Sequence, residues 1–396
     1  MIYFEDNHIT LHQADVMDGL AQLPDESVQC VVTSPPYWGL RNYGWETVKL
    51  WGCWDDFCLP KKNIDRWFIR IRWRAQRPGG VWSRNKKSWV GALGLEPTPE
   101  LYIEHLTQIF REVRRVLKKD GTLWLNMGDS YCSDRFTGCQ GKNGQRANRN
   151  FTAEKMPPKL GNGLKPKDLV GIPWRVALAL QADGWWFRCD IIWSKPNPMP
   201  ESVTDRPTRA HEYLFLLTRS AQYFYDNDAI REPLADTSLL RLNQDIENQK
   251  GSLRANGGTR PDRPMKTVVK GGISAPGYDQ AKKEKYNGTL ARPPMTMVDR
   301  QYHELGRNKR TVWTVPAVGY PDAHFATFPP KLVEPCILAG SRVGDTVLDP
   351  FAGTGVSGEV AVKHQRKSIL IELSPGSCKL SLKRFRQGTL NFNEAV

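Results

Sequence analysis

Short apolar runs alternate with amphipathic stretches along this chain. HITLHQAD (8–15) and SVQCVVTS (27–34) have the length and the β-branched content of strands. VMDGLAQL (16–23), between them, has the spacing of a helix. The pattern therefore predicts a strand, a short helix and a buried strand, in that order.

The clearest helix is predicted between Thr98 and Gly121. Thr98 is a good N-terminal cap, Pro99 suits the first helical turn, and Gly121 is a typical helix end. Apolar residues between them recur at three- and four-residue intervals on one face. A strand, GTLWLNMGD (121–129), follows directly. Alternating strands and helices indicate an α/β fold with a mostly parallel sheet.

The same alternation returns twice further along the chain. The additional predicted elements are helices at 173–184, 329–340, 355–365 and 374–388, and strands at 185–197, 212–220, 345–350 and 368–373. Two long segments between the elements, 46–94 and 231–310, lack a clear period. We interpret 46–94 as an inserted loop region and 231–310 as either a separate binding lobe or a disordered segment.

A glycine-bearing turn marks one candidate site. DTVLDPFAGTG (345–355) places this turn after a predicted strand and before a predicted helix, where such folds let a ligand approach the backbone. Glu372 ends the next strand, the position at which a carboxylate binds ribose hydroxyls in these folds. The turn lacks the Lys-Ser/Thr pair of a phosphate-binding loop. These residues predict a nucleoside ligand without a polyphosphate.

A second candidate site follows the strand at 27–34, where the chain continues as Ser34-Pro35-Pro36-Tyr37-Trp38. Proline has no N–H group and a fixed φ, so its carbonyl stays available to accept hydrogen bonds. The aromatic rings beside it offer a flat surface. The stretch therefore predicts a site for a planar group that carries an amino donor.

Composition adds a polyanion as the expected partner. The chain has 396 residues, a formal net charge of +14 and a pI of about 9.4. Lysine and arginine gain affinity by displacing counterions from phosphates, and the basic, aromatic stretch 65–80 suits phosphate contact and base stacking. Charge alone does not identify the polyanion.

The remaining composition argues against several other classes. The 8 cysteines lack zinc-site spacing, so we expect free thiols and no metal centre. No apolar segment reaches the roughly 20 residues of a membrane helix. The N-terminus also lacks the features of a signal peptide, and we expect a cytoplasmic protein without a membrane partner.

Together, TSPPYW (33–38) and DPFAGTG (349–355) resemble the motifs of amino-group DNA methyltransferases, which use S-adenosylmethionine. The glycine turn follows the S-P-P-Y motif in the chain, as in the circularly permuted β group of that family. The resemblance implies a doubly wound, mostly parallel, Rossmann-like methyltransferase sheet with an inserted DNA-recognition lobe. In this scheme the catalytic and cofactor-binding core comprises 1–45, 95–230 and 311–396, 46–94 is a basic and aromatic insert, and 231–310 is the target-recognition region.

The resemblance also implies a role for each motif residue. In the catalytic motif Ser34, Pro35, Pro36 and Tyr37, the Ser34 hydroxyl and the Pro35 carbonyl would accept the N–H groups of a flipped base. Tyr37 would stack on that base, whereas Trp38 suits the core equally well. The cofactor-binding positions are Asp15 at the adenine edge, Asp349, Phe351, Gly353, Gly355 and Glu372, with Thr327 and Lys331 near the methionine end.

Ser34 favours N4 of cytosine as the methylated atom, because family members with Asp or Asn at this position usually methylate N6 of adenine. Adenine-N6 transfer on the same scaffold is the alternative. An inactive DNA-binding module and an RNA or protein methyltransferase are the alternatives from other classes. The expected partner is double-stranded DNA, and a cognate restriction endonuclease is a second candidate partner.

One further motif points to a different chemistry. Pro335-Cys336 resembles the pair that carries the nucleophile of carbon-5 cytosine methyltransferases. It lies inside an apolar, helix-like stretch before the glycine turn, where a small buried cysteine is the expected role.

Overall fold

The computed structural model describes residues 1–39, 48–51, 80–83, 88–132, 163–165, 167–235, 305–318 and 329–393. The chain divides into two compact units, Met1–Ala229 with Arg310–Val396, and Ile230–Lys309. In the second unit, Glu232 and Arg307 pair through backbone hydrogen bonds of 2.9 and 2.8 Å. Because 236–304 lie outside the described residues, the target-recognition role of 231–310 stays a prediction.

Twelve strands are described in the first unit, and they form two sheets. In chain order they are β1 (Ile2–Glu5), β2 (Ile9–Gln13), β3 (Val28–Thr33), β4 (Val48–Trp51), β5 (Val81–Trp82), β6 (Trp89–Ala92), β7 (Leu117–Met127), β8 (Trp186–Ser194), β9 (His211–Thr218), β10 (Val312–Thr314), β11 (Thr346–Asp349) and β12 (Lys367–Glu372).

The larger sheet has nine strands in the order β1-β2-β12-β11-β3-β7-β9-β8-β10. The central run from β2 to β7 is parallel throughout. β9 is antiparallel to both of its neighbours, β7 and β8. The carboxyl ends of the parallel strands, the carboxyl end of β8 and the amino end of β9 therefore meet at one edge of the sheet.

Six α-helices are described in the same unit, and they cover both faces of the larger sheet. They are α1 (Val16–Ala21), α2 (Pro99–Val116), α3 (Ile172–Ala182), α4 (Pro330–Gly340), α5 (Val356–Lys363) and α6 (Pro375–Asn393). Val31 of β3 packs in the core cluster that includes residues of α1, α2 and α3. The adjacent Cys30 contacts the Cys336 carbonyl of α4 on the opposite face. The prediction of a doubly wound, mostly parallel sheet is confirmed.

The predicted end of the long helix at Gly121 is wrong. α2 ends at Val116, and Leu117 has the extended backbone angles φ −74° and ψ 135°. Leu117 pairs with Val28 of β3, and regular pairing resumes at Thr122 opposite Cys30, so the charged residues between them lie in an irregular part of the strand. Gly121 lies inside β7, where an added Cβ would lie 2.9 Å from the Gln29 carbonyl oxygen.

The expectation of an irregular insertion at 46–94 also needs correction. β4, β5 and β6 of this segment form a small antiparallel sheet in the order β4-β6-β5. Residues 65–79 of the basic stretch lie outside the described residues. β1 and β10 are two further strands that the hydrophobic pattern did not predict.

Metal clusters and membrane-spanning helices can be assessed only within the part of the chain that the structure describes. There, no cluster of His, Cys, Asp and Glu could hold a metal ion, and no helix is long and apolar enough to cross a membrane. Among the described residues, Cys30, Cys132, Cys189, Cys336 and Cys378 form no disulfide bond.

Candidate active site at the carboxyl edge of the sheet

The catalytic motif leaves the sheet at the end of β3 and is fixed by its backbone. The Tyr102 hydroxyl of α2 donates to the Pro36 carbonyl at 2.7 Å. The Trp38 indole donates to the Glu96 carbonyl at 2.9 Å, and its ring packs against the main core. Pro35 is buried, and no donor among the described residues contacts its carbonyl. The Tyr102 hydroxyl of α2 thus fixes the backbone of the motif, while the Pro35 carbonyl can still accept a hydrogen bond.

Tyr37 lies in a compact network of polar side chains. Its hydroxyl donates to Glu212 Oε2 at 2.7 Å and accepts from Asn126 Nδ2 at 2.6 Å. Ser34 Oγ lies 3.3 Å from both the Tyr37 hydroxyl and Asn126 Nδ2. Lys195 Nζ pairs with Glu212 Oε1. β3, β7, β8 and β9 each supply a member of this network at or near the same edge.

Burial and the Glu212 charge together raise the pKa of the Tyr37 phenol well above its usual value. The phenol therefore stays protonated at neutral pH and acts as a hydrogen-bond donor. Its ring lies against Gly128, where an added Cβ would be 2.6 Å from Tyr37 Cε2. Only a glycine after β7 leaves room for the ring in this position.

Asn126, Glu212 and Lys195 are members of the site that sequence reasoning did not assign. Asn126 is an amide within the largely apolar run TLWLNM, which is the signal that could have found it, and it is only 1% exposed. Glu212 lies at the start of β9, and its local sequence indicates only the beginning of a strand. Lys195 gives no comparable signal, because a lysine after a strand is ordinarily solvated.

The glycine turn after β11 is built around the Asp349 carboxylate. This carboxylate accepts hydrogen bonds from Thr33 Oγ1 at 2.7 Å, Phe351 N at 3.0 Å and Ser357 Oγ at 2.7 Å. It therefore links the end of β3 to the first turn of α5. Burial raises the pKa of Asp349. Its side chain organises the turn and, through Thr33, adjoins the catalytic motif.

Two glycines of the turn have positive φ for different reasons. Gly355 (φ 73°) precedes α5, and an added Cβ would lie 2.8 Å from Phe385 Cζ. Gly353 has φ 54°, and an added Cβ would meet no atom within 4 Å. Phe351 is partly buried against the main core. The turn thus presents backbone to open space at Gly353.

Glu372 and Asp15 lie beside this turn. Glu372 Oε2 accepts from Gly353 N at 2.8 Å, and its Oε1 accepts from Ser374 N at 2.8 Å. Burial raises the pKa of Glu372 to about 7. Ala14 N donates to the Glu372 carbonyl at 3.1 Å, which brings the following Asp15 next to Glu372. The Asp15 carboxylate caps α1 by accepting from Met17 N at 3.0 Å.

Three other residues singled out in the sequence are Lys331, Thr327 and Cys336. Lys331 is exposed in the first turn of α4, and Thr327 lies outside the described residues. Cys336 is fully buried within α4, as the sequence predicted for a cysteine without a nucleophilic role.

The chemistry of the turn fits a nucleoside-bearing cofactor. Open space at Gly353 lies beside the Glu372 carboxylate, whose oxygens retain lone pairs for ribose hydroxyl donors. The polar network around Ser34 lies on the neighbouring strands of the same edge, so the two sites are adjacent in the sheet order. This edge is also where open α/β sheets bind ligands.

Comparison with known proteins agrees with this arrangement. A family model described as DNA methylase matches residues 28–383. The type II methyltransferase M.Cfr9I of Citrobacter freundii is 37% identical over 383 residues, which cover 96% of this chain and 88% of that protein. M.SmaI of Serratia marcescens is 35% identical over 370 residues, with 93% and 88% covered. The chain belongs to the DNA methylase family of N4- and N6-amino methyltransferases.

A solved structure supports the fold assignment independently. The cytosine-N4-specific PvuII DNA methyltransferase covers 99% of this chain and 94% of its own, with a TM-score of 0.52 and 14% identity. This likeness concerns the fold alone. The family uses S-adenosylmethionine as its cofactor, and the protein is a DNA methyltransferase.

Proposed function

We propose that this enzyme methylates the exocyclic N4 amine of cytosine in duplex DNA. The observation that carries the proposal is the position of the Ser34 hydroxyl at the end of β3, within 3.3 Å of both Asn126 and Tyr37. A serine at the first motif position is typical of family members that methylate N4. Methylation of adenine N6 on the same scaffold is the second candidate.

In the proposed chemistry, two hydrogen-bond acceptors activate the target amine, which is a poor nucleophile. The lone pair of an aromatic amine is delocalised into its ring, so the amine gains nucleophilicity only when its N–H groups are held out of that plane. Ser34 Oγ and the free Pro35 carbonyl are the proposed acceptors. The Tyr37 ring stacks on the flipped base and fixes its orientation. The bound cofactor supplies the electrophilic methyl group.

The roles of the other residues follow from their positions. We assign Glu372 to the ribose hydroxyls, Asp15 to the adenine edge, and the backbone from Phe351 to Gly355 to the body of the cofactor. Lys331 and Thr327 stay proposed contacts of the methionine end. Asp349 supports the site through Thr33 and Ser357 rather than through the open space.

Nucleoside mass spectrometry of DNA from cells that produce the protein tests the substrate. The expected product is N4-methylcytosine, absent from cells that produce Ser34→Ala at the same protein level. N6-methyladenine would establish the second candidate instead. Unmethylated DNA would support an inactive DNA-binding module, and methyl groups found only in RNA or protein would refute a DNA substrate.

A cognate restriction endonuclease is the second part of this proposal. M.Cfr9I and M.SmaI are both named type II methyltransferases, and proteins of this type protect the sites that a partner endonuclease cleaves. DNA from producing cells should resist one endonuclease specificity that cleaves DNA from control cells. Equal cleavage by every enzyme of a broad panel would contradict this part.

A further inference from the structure

A directed chain of hydrogen bonds leads from the catalytic serine to a carboxylate. Ser34 Oγ donates to the Tyr37 hydroxyl at 3.3 Å, and Tyr37 donates to Glu212 Oε2 at 2.7 Å. Both links run in the same direction, so each hydroxyl can accept a new proton while it passes on its own. The first link is longer than an ordinary hydroxyl hydrogen bond, as catalytic contacts often are before substrate binds.

We propose that Ser34, Tyr37 and Glu212 form a proton relay that removes the proton released when the target amine is methylated. The proposal rests on the proposed function in one respect, the assignment of Ser34 as an acceptor of the amine. It applies equally to an amine of cytosine or of adenine.

The relay balances the transfer step. As the nitrogen–methyl bond forms and the carbon–sulfur bond breaks, the nitrogen becomes positively charged and one N–H bond must break. That proton moves to Ser34 Oγ, the Ser34 proton moves to the Tyr37 oxygen, and the Tyr37 proton moves to Glu212 Oε2. Glu212 becomes a neutral acid and later returns the proton to water. Partial proton movement in the transition state localises the lone pair on the nitrogen, where it attacks the methyl group, instead of in the aromatic ring. The relay therefore accelerates methyl transfer itself.

Tyr37, the middle member of the relay, is suited to transfer a proton while it remains a neutral phenol. Burial and the Glu212 carboxylate hold the pKa of the Tyr37 phenol well above its usual value, so a tyrosinate does not accumulate at neutral pH. Asn126 Nδ2 lies within 3.3 Å of all three members, at 2.6 Å from Tyr37 and 3.0 Å from Glu212. Asn126 is therefore a positioning residue for the relay.

Side chains from β3, β7, β8 and β9 surround the Glu212 carboxylate. Lys195, at the end of β8, pairs with its other oxygen and lies 4.2 Å from the centroid of the Trp193 ring. Tyr37 and the neutral Asn126 face it from β3 and β7. His211 precedes it on β9, and burial lowers the pKa of that imidazole, with Arg209 acting in the same direction. Lys195 thus pairs with the carboxylate oxygen that the relay does not use.

The test measures single-turnover methyl transfer from labelled cofactor to unmethylated linear DNA of several kilobases. Glu212→Gln keeps the size and polarity of the side chain but cannot take a proton. We expect it to slow transfer by roughly 10²-fold at neutral pH, which is the usual size of a general-base effect. Its rate should rise about tenfold per pH unit as hydroxide replaces the relay, whereas the wild-type rate should reach a plateau.

Three further variants separate the relay from a structural role. Tyr37→Phe keeps the stacking ring and should show the same loss and the same pH slope. The double variant should be no slower than the slower single one, because the members act as one unit. Glu212→Asp should recover part of the plateau. Glu334→Gln, which removes a surface carboxylate of α4 paired with His364, is the matched control and should behave as wild type.

A readout that does not depend on activity completes the test. In protein labelled with 3-fluorotyrosine, the Tyr37 resonance is assigned by its loss in Tyr37→Phe, and Glu212→Gln should lower the Tyr37 pKa. Calorimetric affinity for S-adenosylmethionine should stay within about twofold of wild type in every relay variant, which shows that the fold is intact.

Each outcome decides the proposal. If the pH–rate profile of Glu212→Gln runs parallel to that of wild type at a lower rate, Glu212 has only a structural role. If Glu212→Gln transfers methyl groups at the wild-type rate, Glu212 takes no part in the reaction. Mass spectrometry of the wild-type product separates the two proposals: N6-methyladenine overturns the cytosine assignment while the relay variants are still decisive. A wild-type protein that transfers no methyl group overturns both.

Discussion

Gly353 and Gly344 are a matched pair at the scale of single residues. Both have positive φ, 54° and 84°, and an added Cβ would meet no atom within 4 Å at either position. Gly353 lies beside Glu372 in the proposed cofactor site, whereas Gly344 lies in the turn before β11. A valine causes backbone strain at both positions, but only at Gly353 does it occupy the proposed cofactor space.

We therefore expect Gly353→Val to weaken S-adenosylmethionine binding by at least about tenfold, or about 1.4 kcal/mol. Gly344→Val should lose similar thermal stability and keep its affinity. Calorimetry and thermal unfolding of both variants provide the measurement. Equal affinities would remove Gly353 from the cofactor site.

Glu372 makes stability depend on pH in a predictable direction. Its folded pKa is about 7, against an ordinary value of 4.5, so the folded protein holds a proton between these values that the unfolded chain has lost. The stabilisation from this group is complete below pH 4.5 and is lost as the pH rises through 7, with a slope of at most about 1.4 kcal/mol per pH unit.

Glu372→Gln should remove this slope. Denaturant unfolding of the cofactor-free protein across this pH range gives the difference between variant and wild type, in which other titrating groups cancel. Glu5→Gln, at an exposed position of β1, is the control and should keep the wild-type slope. Parallel curves for wild type and Glu372→Gln would show that Glu372 does not titrate in this range.

At the level of secondary-structure elements, the environment of Cys336 in helix α4 distinguishes two mechanisms of cytosine methylation. Cys336 is fully buried there, and its thiol donates to the Leu332 carbonyl one turn earlier at 3.2 Å. A carbon-5 enzyme needs a thiolate that reaches the base, and this thiol faces the core. The role of Cys336 therefore follows from its burial in helix α4 and not from the Pro335-Cys336 sequence pair.

Cys336→Ala should therefore keep the methyl-transfer rate within about twofold and reduce the free energy of unfolding by about 1 kcal/mol. Cys378→Ala, at another fully buried thiol in α6, is a matched comparison. Single-turnover kinetics and denaturant unfolding measure the two effects. Loss of transfer in Cys336→Ala alone would point to a carbon-5 mechanism.

Charge is a property of the whole molecule. With a formal net charge of +14, the protein should bind DNA less tightly as salt rises, because each phosphate contact releases counterions. Glu232 and Arg307 bring the two ends of the inserted segment together, with an ion pair of 3.2 Å besides their backbone pairing. A short linker can therefore join these two points.

Replacing residues 236–304 by a Gly-Ser linker should keep cofactor affinity, reduce the salt dependence of DNA binding and abolish preference for particular sites. Salt titrations and sequencing of the methylated positions measure these effects. If the shortened protein methylates the same sites as the full chain, target recognition lies elsewhere, and 46–94 is the next segment to replace.

The sequence by itself determined the two motifs, the order of the six α-helices and the order of seven of the twelve described strands. Strand and helix periodicity are local properties, and the Ser34-Pro35-Pro36-Tyr37 and Asp349–Gly355 motifs each lie within a few residues of a strand end. Parallel strands place such ends at one edge, so the position of both sites followed from the predicted fold class. The sequence also predicted the buried state of Cys336.

Only the tertiary structure decided how the polar network around Tyr37 is assembled. Asn126, Lys195 and Glu212 come from three strands, and nothing in their local sequence shows that they converge on Tyr37. The change from α2 to β7 at Leu117 has the same origin, because pairing with Val28 outweighs the local preference for helix. Interactions between residues distant in sequence depend on strand order and register, which local patterns do not encode.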